Sequence, residues 1–199
     1  KFITGYFYLW FSFFIDLGGL VAIVGILMAM YRRYVTKPQR ISDNKPDDFL
    51  SLMWILVILV SGFLVEAARI AATRPDYEVW SFVGWFMADL FGGMDKGAIK
   101  ATHLVLWYFH MVISFGFIVY IAYSRLLHII TSSLNMMFRG VEESPRGAVA
   151  QIPDFENAEE FGVNNIEGFT WRQIFDLDAC TRCGRCQDRC PANLSEKPL

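Results

Sequence analysis

Hydrophobic and polar residues are unevenly divided along this chain. Three long apolar runs, at about 6–31, 50–72 and 101–130, precede residue 131, and polar residues dominate beyond it. Each run reaches or exceeds the ~20 residues that a helix needs to cross ~30 Å of hydrocarbon, so each predicts a spanning helix. A fourth apolar stretch, 79–91, is too short to span. Its Trp80, Phe82, Trp85, Phe86 and Phe91 predict an interfacial helix in the aromatic belt. Residues 141–178 hold nine acidic and two basic side chains together with Pro145 and Pro153. That segment reads as a solvated linker with short helices at 157–161 and 170–177, the second opening on Thr170 as N-cap.

Composition fits a membrane half followed by an aqueous half. Of 199 residues 54% are hydrophobic and the net charge is −2, too apolar for a soluble domain and too weakly charged for a nucleic-acid partner. Basic residues set the expected orientation. Arg32, Arg33, Lys37, Arg40 and Lys45 crowd the loop after the first run, whereas the loop before the third has Arg74, Lys96 and Lys100 offset by Asp76, Glu78, Asp89 and Asp95. Positive-inside reasoning puts the first loop, and with it the C-terminal segment, in the cytoplasm. A prokaryotic inner membrane with a multi-pass topology is the expected location. The first run is too long for a signal peptide, and both ends of the sequence read as cuts in a longer polypeptide.

All four cysteines lie in eleven residues: Cys180, Cys183, Cys186 and Cys190, the last followed by Pro191. The spacing C-x2-C-x2-C-x3-C-P is that of bacterial-type ferredoxins, in which three thiolates hold one cubane cluster and the fourth reaches a second. Structural zinc is the alternative, although zinc knuckles usually pair across a longer gap. Two disulfides in so short a span would be strained. Arg182, Arg185 and Arg189 between the cysteines either raise a cluster's potential by favouring its reduced state or are plain surface residues.

All three histidines, His103, His110 and His128, fall in the third run. On one uninterrupted helix the eighteen residues from His110 to His128 make five turns, which puts both on one face about 27 Å apart. Such a pair predicts two b-haem ligands; the alternative is an interfacial anchor at His128 and a packed core residue at His110. His103, with Trp107 one turn on, is a candidate quinone contact. Arg125 either meets a haem propionate or snorkels to the inner surface. Asp16, Glu66 and Arg69 lie within the spans, where charge is costly and often functional. Glu66 and Arg69 read either as an i,i+3 ion pair or as part of a quinone pocket. Asp16 reads as a hydrogen-bonded residue or part of a proton route.

The segment from His110 through 123–129 to His128 resembles the last helix of the cytochrome b (gamma) subunit of respiratory nitrate reductases. The whole chain more closely resembles heterodisulfide-reductase-like membrane iron–sulfur oxidoreductases, which join such a domain to a two-cluster ferredoxin segment and CCG repeats. Residues 8–12, 62–69 and 176–180 carry that likeness along with the cysteine run. The resemblance implies haem b on His110 and His128, 4Fe–4S clusters on Cys180, Cys183, Cys186 and Cys190, and a quinone, menaquinone by expectation. It also implies a soluble cytoplasmic redox partner, either electron-transferring flavoprotein or a CCG-repeat module. The family's first helix, with the opposing axial histidines, and its second cysteine run are not in this sequence.

The expected organisation is a nitrate-reductase-gamma-like haem domain at 1–135, an acidic linker at 136–175 and the start of a ferredoxin-type domain at 176–199. The expected fold class is mainly α, a membrane helical bundle followed by a bacterial-ferredoxin-like segment. The expected function is electron transfer between a cytoplasmic partner and the quinone pool, against a non-redox membrane anchor with a four-cysteine zinc site.

Overall fold

A computed structural model describes residues 5–38, 41, 45–138, 165–181 and 183–195. Two compact units, Lys1–Tyr120 and Ile121–Leu199, make up the chain. The helix expected at 157–161 and Arg182 lie outside the described residues. Among those described there is no strand.

Three helices are long and apolar enough to cross a membrane: α1 (Gly5–Tyr31, continued by a π-helical turn to Thr36), α2 (Pro46–Thr73) and α4 (Lys96–Tyr123). Pro46 at the first helical position starts α2, and the Asp48 side chain accepts the Lys45 backbone N–H at 3.0 Å. Asp47 and Asp48 sit at the positive end of the helix dipole, and Arg33 pairs with Asp48.

In the first unit α2 contacts both of the other long helices. On one side it meets α4 in antiparallel register. Trp54 Nε1 donates to the Ile113 carbonyl at 3.0 Å, Ser51 bonds the Tyr120 hydroxyl at 3.0 Å, and the Tyr120 hydroxyl also bonds Asp47. A Cβ on Gly116 would lie 3.3 Å from the Trp54 ring, so glycine lets the helices approach there. On the other side α2 meets α1, and a Cβ on Gly19 would run into the Phe63 ring at 2.7 Å.

The segment 76–91 contains the short apolar helix expected, over Phe82–Phe91, in a less regular form. It comprises a 3-10 turn (Asp76–Trp80), the short helix α3 (Phe82–Met87) and a second 3-10 turn (Ala88–Phe91). It buries Glu78, Ser81, Gly84, Ala88 and Phe91. Polar partners on α1 and α2 hold it inward, while Phe86 and Leu90 stay exposed. Ala67 and Ala68 on α2, Phe91 and Ile99 form the small buried core. Most other apolar side chains of the spans face outward, as lipid-facing residues must.

The single helix expected over 101–130 is two. α4 ends at Tyr123, and Ser124 adopts an extended conformation (φ −116°, ψ 171°). The Ser124 hydroxyl accepts the Leu126 N–H at 3.2 Å, capping a 3-10 turn (Arg125–Leu127) that leads into α5 (His128–Phe138). Serine competes for backbone bonds in this way, and an apolar sequence around it conceals the break.

In the second unit α5 meets α6 (Trp171–Asp178). Thr170 caps α6 in a reciprocal capping box with Gln173, so this helix is found where it was expected. Arg172 donates to the Phe138 carbonyl at 2.9 Å and to Asn135 at 2.8 Å. Thr131 donates to the Asp178 carbonyl at 3.1 Å. Two short helices, α7 (Arg185–Arg189) and α8 (Pro191–Leu194), follow.

Candidate functional site

His110 lies on α4, half-buried, with Nδ1 2.8 Å from the Ser61 hydroxyl of α2. The Ser61 hydroxyl also lies 3.0 Å from the Ile58 carbonyl. With its proton on that carbonyl, Ser61 accepts from His110 Nδ1 and Nε2 is the nitrogen left to ligate. Next to Ser61, a Cβ on Gly62 would stand 3.3 Å from His110 Cε1, so glycine makes room for the ring.

His128 reaches the same state by a different route. Its Nδ1 bonds the Arg125 carbonyl. A carbonyl can only accept, so Nδ1 carries a proton and Nε2 is the nitrogen left to ligate. Both rings thus have Nδ1 engaged, as the second nitrogen of a metal-ligating imidazole is. By donor chemistry both would hold a haem iron through Nε2. They fall in different units, and because the helix is interrupted at Ser124 the five-turn phase expected between them does not apply. His103 lies on α4 two turns before His110 and is half-buried. Arg125 contributes its main-chain carbonyl to His128.

Of the four cysteines, Cys180, Cys183 and Cys186 are exposed and Cys190 is half-buried. Gly184 turns the chain between Cys183 and Cys186 with φ +72°, a conformation that suits glycine. Cys186 sits at the start of α7, and Cys190 caps α8 ahead of Pro191. An all-thiol donor set on short turns fits an iron–sulfur centre. Among the described residues no group of three or more His, Cys, Asp or Glu is gathered to hold a metal ion.

The charged residues of the spans are organised by a partner that sequence reasoning left in a loop. Arg69 lies 3.8 Å from Glu66, the ion pair expected, but its two-pronged bond is to Glu78, at 2.6 and 3.0 Å. Tyr8 donates to the same carboxylate at 2.9 Å. Burial would lift the Glu78 carboxyl, yet the hydrogen bonds from Arg69 and Tyr8 outweigh it and hold the group below its usual range. One turn along α1, Ser12 bonds Ser81, and one turn further Asp16 accepts the N–H groups of Val83 (2.7 Å) and Gly84 (3.4 Å). The signal that could have found this is the i, i+4 spacing of Tyr8, Ser12 and Asp16 on an otherwise apolar helix.

Comparisons with known proteins agree with these features. Residues 6–142 match the nitrate reductase gamma subunit family, and residues 171–192 match a 4Fe–4S binding domain. The chain is 41% identical over 99% of its length to the EtfAB:quinone oxidoreductase of Syntrophomonas wolfei subsp. wolfei, covering 28% of that protein. It is 26% identical over 95% of its length to a probable iron–sulfur-binding oxidoreductase, FadF, of Bacillus subtilis, covering 26% of it. With the nitrate reductase gamma chain of Bacillus subtilis it shares 30% identity over 61% of this chain and 53% of that one. It thus spans little more than a quarter of the first two relatives. No solved structure matches it. The match over residues 6–142 and the three helices of membrane-crossing length show that the chain belongs to the nitrate reductase gamma subunit family, and it carries a 4Fe–4S binding segment after its membrane domain.

Proposed function

We propose that this chain is the membrane and first-cluster portion of an oxidoreductase that moves electrons between a cytoplasmic redox partner and the membrane quinone pool. The observation that carries the reading is the shared state of His110 and His128. Each ring has Nδ1 engaged by a partner, the Ser61 hydroxyl for His110 and the Arg125 carbonyl for His128, which leaves Nε2 for iron. Haem b supplies one-electron storage when bound, and the protein supplies ligands, orientation and an apolar surround. The reading gives one haem to each histidine, with the opposing axial ligands coming from another helix. Arg125 is assigned to a propionate and His103 to quinone contact.

Cys180, Cys183 and Cys186 are assigned to one 4Fe–4S cluster and Cys190 to a second, completed by thiolates outside this run. The spacing supports this assignment, as does the 4Fe–4S family match. Five basic residues in the loop after α1 support a cytoplasmic cluster side in a prokaryotic inner membrane. The name of the Syntrophomonas relative supports electron-transferring flavoprotein as the soluble partner; menaquinone is the quinone assigned.

The test is spectroscopic. Purified membranes should show a reduced b-type α-band and the electron paramagnetic resonance of reduced 4Fe–4S clusters. Both should bleach when a menaquinone analogue is added. A preparation containing zinc and neither signal would overturn the proposal.

A further inference from the structure

Four charged side chains of the first unit meet along the inner side of α1, and their charges do not balance. Glu78 is 1% exposed and is matched by Arg69, with Tyr8 and Ser81 donating to it as well. That neutral layer leaves Asp16 and Glu66 one to two turns deeper. From Tyr8 to Asp16 the rise along α1 is about 12 Å, so the second pair lies well inside the hydrocarbon.

Asp16 is 1% exposed. Its Oδ2 takes the Val83 and Gly84 N–H groups, while Oδ1 is sealed from solvent and outside close hydrogen-bond geometry. The polar neighbour on α2 is the Glu66 carboxyl, which lies against Gly84, the residue whose N–H Asp16 accepts. Gly84 fixes this meeting. A Cβ there would lie 2.8 Å from Glu66 Cγ and 3.0 Å from its Oε2, so only glycine lets the Glu66 carboxyl rest against the same backbone that binds Asp16.

Two adjacent negative charges in hydrocarbon are far costlier than one, and a single proton held between the two carboxyls removes the second charge. Arg69 cannot neutralise both acids while it grips Glu78 with both nitrogens, since it stands off Glu66 at 3.8 Å.

We propose that Asp16 and Glu66 are a proton-binding site inside the membrane domain, a carboxyl pair that holds a single shared proton and exchanges it with a quinone oxygen. The exchange rests on the quinone reading above; the shared proton does not. Asp16 is the buried member, and Glu66, whose side chain is 25% exposed, is the port. Quinone reduction consumes two electrons, supplied by the soluble reductant, and two protons. The pair gives up one proton as a carboxyl O–H bond breaks and a quinone O–H bond forms. Water supplies the second proton and then restores the pair. Quinol oxidation runs the same steps in reverse.

The experiment is pH-difference infrared spectroscopy on the protein in lipid nanodiscs. The wild type should show the carbonyl stretch of one protonated carboxyl that shifts in deuterated water. Asp16→Asn and Glu66→Gln should each abolish it, because a single remaining carboxylate has no second charge to escape. Glu66→Asp, which keeps a titrating group, should retain it at a shifted frequency. A band unchanged in both amide variants, or absent from the wild type, overturns the shared proton. Quinone reduction is then compared, with a loss of tenfold or more expected in Glu66→Gln. An unchanged rate with the band lost overturns the exchange role. Failure of the wild type itself to reduce quinone would overturn the quinone reading while leaving the band in place.

Discussion

The Ser61 hydroxyl lies 2.8 Å from His110 Nδ1 and 3.0 Å from the Ile58 carbonyl. A serine on one spanning helix is thus the hydrogen-bond partner that orients a histidine on another. Ser61→Ala removes this partner and should reduce haem retention at His110 by about 10–100-fold, the range seen when outer-shell partners of metal ligands are lost. Ser61→Thr should restore it. The check is haem content with the g-values of the two low-spin haems, of which only one should change.

Replacing the two histidines tests the proposed assignment of one haem to each. His110→Ala and His128→Ala are each expected to lower pyridine haemochrome to about half, and their residual α-bands should differ. Wild-type haem content in both variants would remove these histidines from the ligand set.

Gly62 makes a steric prediction. A Cβ 3.3 Å from His110 Cε1 is tighter than ordinary contact, so Gly62→Ala should tilt the ring. The expected outcome is a shifted low-spin spectrum for the His110 haem with the His128 haem unaltered.

For Glu78 the sign of the pH effect follows from its depressed titration. A carboxyl held below its unfolded value stabilises the fold fully above that value, and the contribution is lost as pH falls through the folded one. Acid should thus loosen the 76–91 segment in the wild type and not in Glu78→Gln. That variant should lose about 1–3 kcal/mol at neutral pH, as expected when hydrogen bonds to a charged group are removed. Thermal unfolding in detergent across the acid range measures both.

The cysteine assignments predict two classes of variant. Cys180→Ala, Cys183→Ala and Cys186→Ala should lose the same cluster signal, and Cys190→Ala a different one. Paramagnetic resonance of reduced protein with iron counts distinguishes them. Loss of one common signal by all four would point to a single metal centre.

The sequence made the three spans and the capped helix at Thr170 legible because hydropathy and capping are local properties. The stop at Ser124 was not legible: apolar residues continue through it, and only a serine hydroxyl turned back on Leu126 N–H marks it. Ser61 was hidden as a lone small residue in an apolar run, 49 positions from the histidine it serves. Glu78 read as a loop acid, since its partner Tyr8 is 70 residues away and nothing local showed that the segment folds inward. Conversely, Asp16, Glu66 and Arg69 stood out at once, because charge in a span is conspicuous even when its purpose is not.

The polar stripe of α1 also dictates a sequence of events during synthesis. Tyr8, Ser12 and Asp16 hydrogen-bond to residues 78–84, which the ribosome adds some seventy residues later. Until then α1 must enter the bilayer with an unsatisfied aspartate, at a cost of about 2.5–3.5 kcal/mol on insertion scales. The strongly apolar remainder of α1 can bear that cost. When the 76–91 segment emerges it meets a helix already in place, and its own buried polar groups have nowhere else in the membrane to go. Docking of this segment should therefore be the step that turns two inserted helices into a packed domain. Ser12→Ala should leave α1 inserted but slow that step, giving membrane-integrated protein that proteases cut in the loop between α2 and α4.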